Sequence, residues 1–167
     1  MIGLGVCLVL GKAGATVLAV GTPKDEKRML IAKDLGAKTI ISKDKEDVLQ
    51  VLREMGKVDG ADVAYDCSGA PAALQSAIEV IRPAGIVCEV GIPGQEIPID
   101  VAGQLVFKEK QIIGTRAFYH STWNKTMELM GESADLLDKF ITHKLPLERF
   151  AEAIDLIKNG EAIRAII

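Results

Sequence analysis

The residues best suited to chemistry in this sequence stand at turns. Gly3 opens an apolar run of helical character, and a glycine at a helix start leaves backbone N–H groups open to an anion, although close packing alone would also explain it. Gly21-Thr22 is an uncharged turn at the end of a continuous apolar segment. Lys24 and Arg28 follow it on the next helix, and Lys43 stands just past the following extended segment. Three cations around an uncharged turn make a phosphate cradle. The competing reading is a charged helix face, since Asp25 and Glu26 lie among them.

Other reactive side chains lack the company that chemistry requires. A zinc site needs three or four converging ligands, and neither His120 nor His143 has them nearby in sequence, so both read as structural or surface residues. Cys7, Cys67 and Cys88 form no CxxC pair and sit inside apolar runs, as small buried hydrophobes do. Their spacing offers no disulfide framework, which points to a reducing cytoplasm. Asp44, Glu46 and Asp47 read as a solvated helix start, where negative charge complements the helix dipole.

The elements that must hold these turns alternate in kind. Short β-branched runs at 15–21, 38–42, 61–66, 85–91 and 111–115 are expected strands. Between them, 2–13, 24–35, 44–55 and 71–81 have helical periodicity, with Gly36 as a C-terminal stop and Pro71 in a first turn. Strand–helix–strand order implies right-handed crossovers and an α/β fold with a doubly wound, Rossmann-like parallel sheet. Hydrophobic residues make up 49% of the chain and aromatics only 4%, which suits aliphatic strands buried on both faces. A net charge of −3 argues against nucleic acid as a partner, and no apolar run is long enough for a membrane span.

After Phe118 the texture changes. Ser121 is placed to cap a helix carrying Trp123, Met127, Met130, Ala134 and Leu137 on one face. A short strand at 140–145, a helix with Leu147, Phe150, Ala151, Ile154 and Ile157 on one stripe, and a strand at 162–167 follow. We therefore expect the chain to divide into an α/β domain, 1–118, and a C-terminal part, 119–167.

Several segments together carry a family resemblance. Gly14-Ala-Thr-Val-Leu-Ala-Val-Gly-Thr22 followed by Lys33-Asp-Leu-Gly-Ala37 resembles the second strand and next turn of medium-chain dehydrogenases. Asp62-Val-Ala-Tyr-Asp-Cys-Ser-Gly69 resembles their fourth strand, and Arg82-Pro-Ala-Gly-Ile-Val-Cys-Glu-Val-Gly-Ile-Pro-Gly94 their fifth. The ending, Ile141-Thr-His-Lys-Leu-Pro-Leu-Glu-Arg-Phe-Ala-Glu-Ala-Ile-Asp155 and then Gly160-Glu-Ala-Ile-Arg164, resembles the zinc-containing alcohol and polyol (sorbitol-like) branch.

The resemblance implies an oxidoreductase that moves a hydride between NAD(P) and a small alcohol or polyol. It implies Gly3 beside the cofactor pyrophosphate as the closing glycine of a GxGxxG motif, and Gly21-Thr22 facing the adenosine ribose. Cys67, Ser68 and Gly69 would run along the cofactor, and Val90, Gly91 and Thr115 would offer backbone groups to the nicotinamide. Arg164 would reach back to the pyrophosphate, a job that suits a planar bidentate donor. With no carboxylate expected at the Thr22 turn, NADP is favoured over NAD. Zinc and the proton relay would come from an N-terminal domain, so this chain alone is expected to bind no metal and to be inactive. The first strand is also expected to be missing, leaving strands two and four without their shared neighbour. A homodimer or tetramer is expected through the edge strand at 111–115. A zinc-free quinone reductase branch and a non-catalytic nucleotide-binding module remain alternatives. A methyltransferase would want a carboxylate where Thr22 stands.

Overall fold

A computed structural model describes residues 1–42 and 44–167. In chain order the main elements are α1 (Ile2–Lys12), β1 (Leu18–Gly21), α2 (Glu26–Asp34), β2 (Lys38–Ile41), α3 (Lys45–Glu54), β3 (Ala61–Asp66), α4 (Pro71–Val80) and β4 (Ile81–Glu89). They continue with β5 (Gln111–Gly114), α5 (His120–Glu132), α6 (Ala134–Asp138), β6 (His143–Lys144), α7 (Phe150–Lys158) and β7 (Ala165–Ile166). No helix among the described residues is long and apolar enough to cross a membrane.

Every strand pairing is parallel, as alternating strands and helices require. The strands form three sheets, β1-β2, β3-β4-β5 and β6-β7. β1 and β3 belong to different sheets. β5 lies at a sheet edge. The chain divides into two compact units, one of 3–41 and 117–167 with Met1, the other of 42–116 with Ile2.

In the first unit, Leu4 and Cys7 of α1 pack with Ala19, Ala32, Ala37, Phe140 and Ile163. The small residues Ala19, Ala32 and Ala37 let strand and helices approach closely. Gly36, at φ +87°, turns the chain from α2 into β2 as the sequence predicts, and Ala37 N–H closes the helix on the Ala32 carbonyl at 3.0 Å. In the second unit, Leu74, Ala77 and Ile78 of α4 pack on Ile81 and Val87 of β4. Positions 74, 77 and 78 share one face of α4, the spacing of a helix stripe. β3 is less enclosed than its apolar sequence predicts: Val63 and Tyr65 are 41% and 39% exposed. Burial follows the α4-covered face and not the other.

Several boundaries shift. A short 3₁₀ turn, Pro23–Asp25, precedes α2. The expected helix from Ser121 to Leu137 breaks at Ser133, and its N-cap is Tyr119, with no side-chain bond. β6 and β7 retain two residues each of their expected runs.

Candidate functional site

In the first unit the predicted turn residues gather at two places. Gly3 lies in the first turn of α1, whose start is tied by the Leu4 and Gly5 amides to the Met1 carbonyl at 3.0 and 3.2 Å. The Arg164 guanidinium reaches that start, with Nη1 3.8 Å from Met1 Sδ. Ile163, beside it in sequence, sits in the same core cluster as Leu4, so packing fixes where Arg164 leaves the chain. A cation beside a helix N-terminus favours an anion there.

The second place is the Gly21-Thr22 turn, where the structure corrects an expectation. Asp25 Oδ2 accepts from both Thr22 N–H and Thr22 Oγ1, at 3.0 and 2.8 Å, so a carboxylate sits on the turn after all. Arg28 Nη1 donates to Asp25 Oδ1 at 3.0 Å and is therefore paired. Burial pushes the Asp25 carboxyl up, but the Thr22 bonds and the Arg28 guanidinium outweigh it and hold the carboxyl below its ordinary value. Asp25 is what sequence reading undervalued. The signal was present in the Thr-x-x-Asp spacing of a capping box. Lys24 is exposed. Lys43 lies outside the described residues.

In the second unit, Cys67, Ser68, Gly69, Val90, Gly91 and Thr115 all fall at the carboxyl ends of β3, β4 and β5. The two glycine turns touch backbone to backbone. A Cβ on Gly91 would stand 2.1 Å from the Gly69 nitrogen, and one on Gly69, at φ +68°, would stand 2.7 Å from the Ile92 oxygen. The Asp66 carbonyl accepts from both Val90 and Gly91 N–H at 2.9 Å, and the Glu89 carbonyl accepts from Thr115 N–H at 2.9 Å. Asp66 Oδ1 takes Ser68 N–H at 2.8 Å and Ser68 Oγ at 2.7 Å. Neither Asp66 nor Glu89 was singled out from the sequence.

His120 is exposed, and His143 Nδ1 lies 3.0 Å from Thr142 Oγ1. Among the described residues no three His, Cys, Asp or Glu side chains converge as metal ligands, so they do not fit a zinc ion.

Comparison with known proteins agrees with this architecture. The family model described as "Zinc-binding dehydrogenase" matches residues 2–132. The chain is 32% identical to D-arabitol-phosphate dehydrogenase of Enterococcus avium over 99% of its own length and 47% of that protein's. It is 32% identical to L-threonine 3-dehydrogenase of Bacillus velezensis, over 99% of this chain and 48% of the relative. A crystal structure of an alcohol dehydrogenase from Thermotoga maritima superposes with a TM-score of 0.89 at 27% identity, over 98% of this chain and 46% of that one. The chain thus spans about half the length of these relatives.

Proposed function

The chain belongs to the zinc-binding dehydrogenase family, and we propose that it is the cofactor-binding part of an oxidoreductase that transfers a hydride between NAD(P) and an alcohol or polyol. The observation that carries this reading is the pair of glycine turns locked together at the carboxyl ends of β3 and β4. Ligands of open α/β sheets bind outside the carboxyl ends of the strands.

When bound, the nicotinamide ring supplies the hydride-accepting carbon. In the first unit, the α1 amides near Gly3 and the Arg164 guanidinium hold pyrophosphate charge, while Gly21, Thr22, Lys24 and Arg28 serve the adenosine ribose. Lys43 belongs with that group by sequence. In the second unit, Cys67, Ser68 and Gly69 line the cofactor, and Val90, Gly91 and Thr115 present backbone groups to the nicotinamide amide. Zinc would be held by another part of a longer protein.

For the finer choice we infer NADP(H), because Lys24 and Arg28 both stand at the turn. Asp25 is the opposing charge and decides how strongly. A cytoplasmic setting is supported by Cys7 and Cys88, which form no disulfide. We further infer that the C-terminal part, 119–167, packs on another domain of a longer protein, because Phe118, Tyr119, Trp123 and Phe150 are 49–82% exposed. Titrating the chain with NADPH and NADH, followed by nicotinamide fluorescence, tests the core claim. Saturable binding is expected, and no binding of either overturns it.

A further inference from the structure

Asp66 and Glu89 are register partners on the parallel strands β3 and β4. Paired positions project to the same face of a sheet, so the two carboxyls stand side by side. Asp66 is 5% exposed, and both Glu89 oxygens are sealed from solvent. No nitrogen, hydroxyl or thiol donates to Asp66 Oδ2, Glu89 Oε1 or Glu89 Oε2 among the described residues. Three buried acceptors without a donor cost several kcal/mol together, at about 1–3 kcal/mol each. Two sealed like charges would cost more. One shared proton removes the like-charge pair and joins two of the three oxygens in a hydrogen bond.

The geometry also says where that proton rests. Asp66 Oδ1 already accepts two hydrogen bonds, from Ser68 N–H and Ser68 Oγ. Glu89 receives none and is the natural acid. We propose that Asp66 and Glu89 share one proton, Glu89 as carboxylic acid donating to the Asp66 carboxylate, and that this clamp positions the two glycine turns. Asp66 is the node for both turns: its carboxylate holds Ser68, and its carbonyl holds Val90 and Gly91. Loss of the proton sets two negative charges against each other at the strand ends, where the Gly69–Gly91 contact leaves no slack.

Neighbouring charges are engaged elsewhere. Glu79 of α4 is ion-paired with Lys45 at 2.9 Å, and Lys110, just before β5, donates to the Ile78 carbonyl at 2.5 Å. Asp62 at the far end of β3 bonds Lys57 and Arg82 at 2.9 and 2.7 Å. β5 carries no titratable side chain. Tyr65 interacts with Cys88 and Cys67, and strand alternation directs Tyr65 and Cys88 to the opposite face. Burial first, and then the Asp66 charge and hydrogen bond, raise the Glu89 carboxyl above its ordinary value. The consequence for cofactor binding rests on the function proposed above; the shared proton does not.

The test is a carbon-detected NMR titration of the Glu89 carboxyl and of the Gly69 and Gly91 amides in the full chain, from mildly acidic to mildly alkaline pH. In wild type, Glu89 is expected to titrate above the ordinary carboxylate range, and both glycine amides are expected to follow the same midpoint. Asp66→Asn should lower the Glu89 midpoint. Glu89→Gln, which keeps a donor towards Asp66, should leave the glycine amides without that transition. An ordinary Glu89 midpoint, or glycine amides that do not follow it, overturns the clamp; the wild-type titration decides this even where a variant fails to fold. Cofactor binding is measured separately. NADPH affinity of wild type should fall by at least roughly fivefold as Glu89 ionises, and that of Glu89→Gln should not. A flat wild-type affinity overturns the positioning role, while absence of all binding overturns the cofactor reading and leaves the NMR result to judge the clamp.

Discussion

A methyl group on Gly91 would lie 2.1 Å from the Gly69 nitrogen and 2.6 Å from its Cα, and neither is a side chain that could rotate away. Gly91→Ala must therefore move backbone, and we expect it to destabilise the second unit by more than about 2 kcal/mol, as overpacking does. Chemical denaturation would show this as a lower midpoint. At the Thr22 turn the decisive residue is Asp25, whose carboxylate neutralises Arg28. Asp25→Asn releases the guanidinium and removes a charge that repels a 2′-phosphate. The NADPH-to-NADH affinity ratio should rise by roughly tenfold, the effect of about 1.4 kcal/mol. An unchanged ratio would mean that this turn does not meet the ribose. Asp62 gives the clearest pH effect. Hydrogen bonds from Lys57 and then Arg82 hold its carboxyl down at about 2. A lowered value contributes stability above the ordinary carboxylate range, lost as pH falls towards 2. Asp62 is 52% exposed, so solvent screening limits the contribution to less than about 1 kcal/mol. Asp62→Asn should accordingly flatten only a shallow acid limb in thermal melts.

At the scale of elements, the sequence was legible wherever local rules sufficed. Pro71 and Gly36 mark the helix ends they were expected to mark, and the apolar run ending at Asp66 is β3 to the residue. It was less legible where the partner is distant in sequence. Asp66 and Glu89 meet only through the β3–β4 register, which no spacing along the chain reveals. The Thr22–Asp25 cap was readable from four consecutive residues and was outweighed by counting cations. The terminal strands shrank because β6 and β7 pair only with each other, two residues deep. The helical periodicity of α4 was legible, and its packed face gives a stability prediction. Ile78 is 1% exposed and central to the second core. Ile78→Ala should cost about 2–5 kcal/mol, read from denaturant unfolding, since a cavity there is walled by a rigid helix and strand. A cost below about 1 kcal/mol would mean that α4 is not seated on β4 as described.

For the whole molecule, two expectations concern what the chain does with others. On the function proposed above, the chain should bind nicotinamide cofactor, and alcohol oxidation in a spectrophotometric assay should require the other part of a longer protein. Measurable turnover of a secondary alcohol would show that chemistry resides in this half. The edge of β5 favours association: among the described residues β5 pairs with β4 on one side only. An unpaired edge presents a row of backbone donors and acceptors, and natural proteins cover such edges or pair them. Ile113 on this edge is 45% exposed, and Phe107 and Val106 just before it are 81% and 62% exposed. No charged side chain within Gln111–Gly114 guards the edge against pairing. Two copies meeting there about a twofold axis would continue the sheet and bury these residues in a self-complementary contact. Sedimentation should therefore show a homodimer at high micromolar concentration. Ile113→Lys places a charge on the edge and should shift the species to monomer without altering the far-ultraviolet circular dichroism. A dimer that survives the lysine would place the contact elsewhere, and a wild-type monomer would remove it altogether.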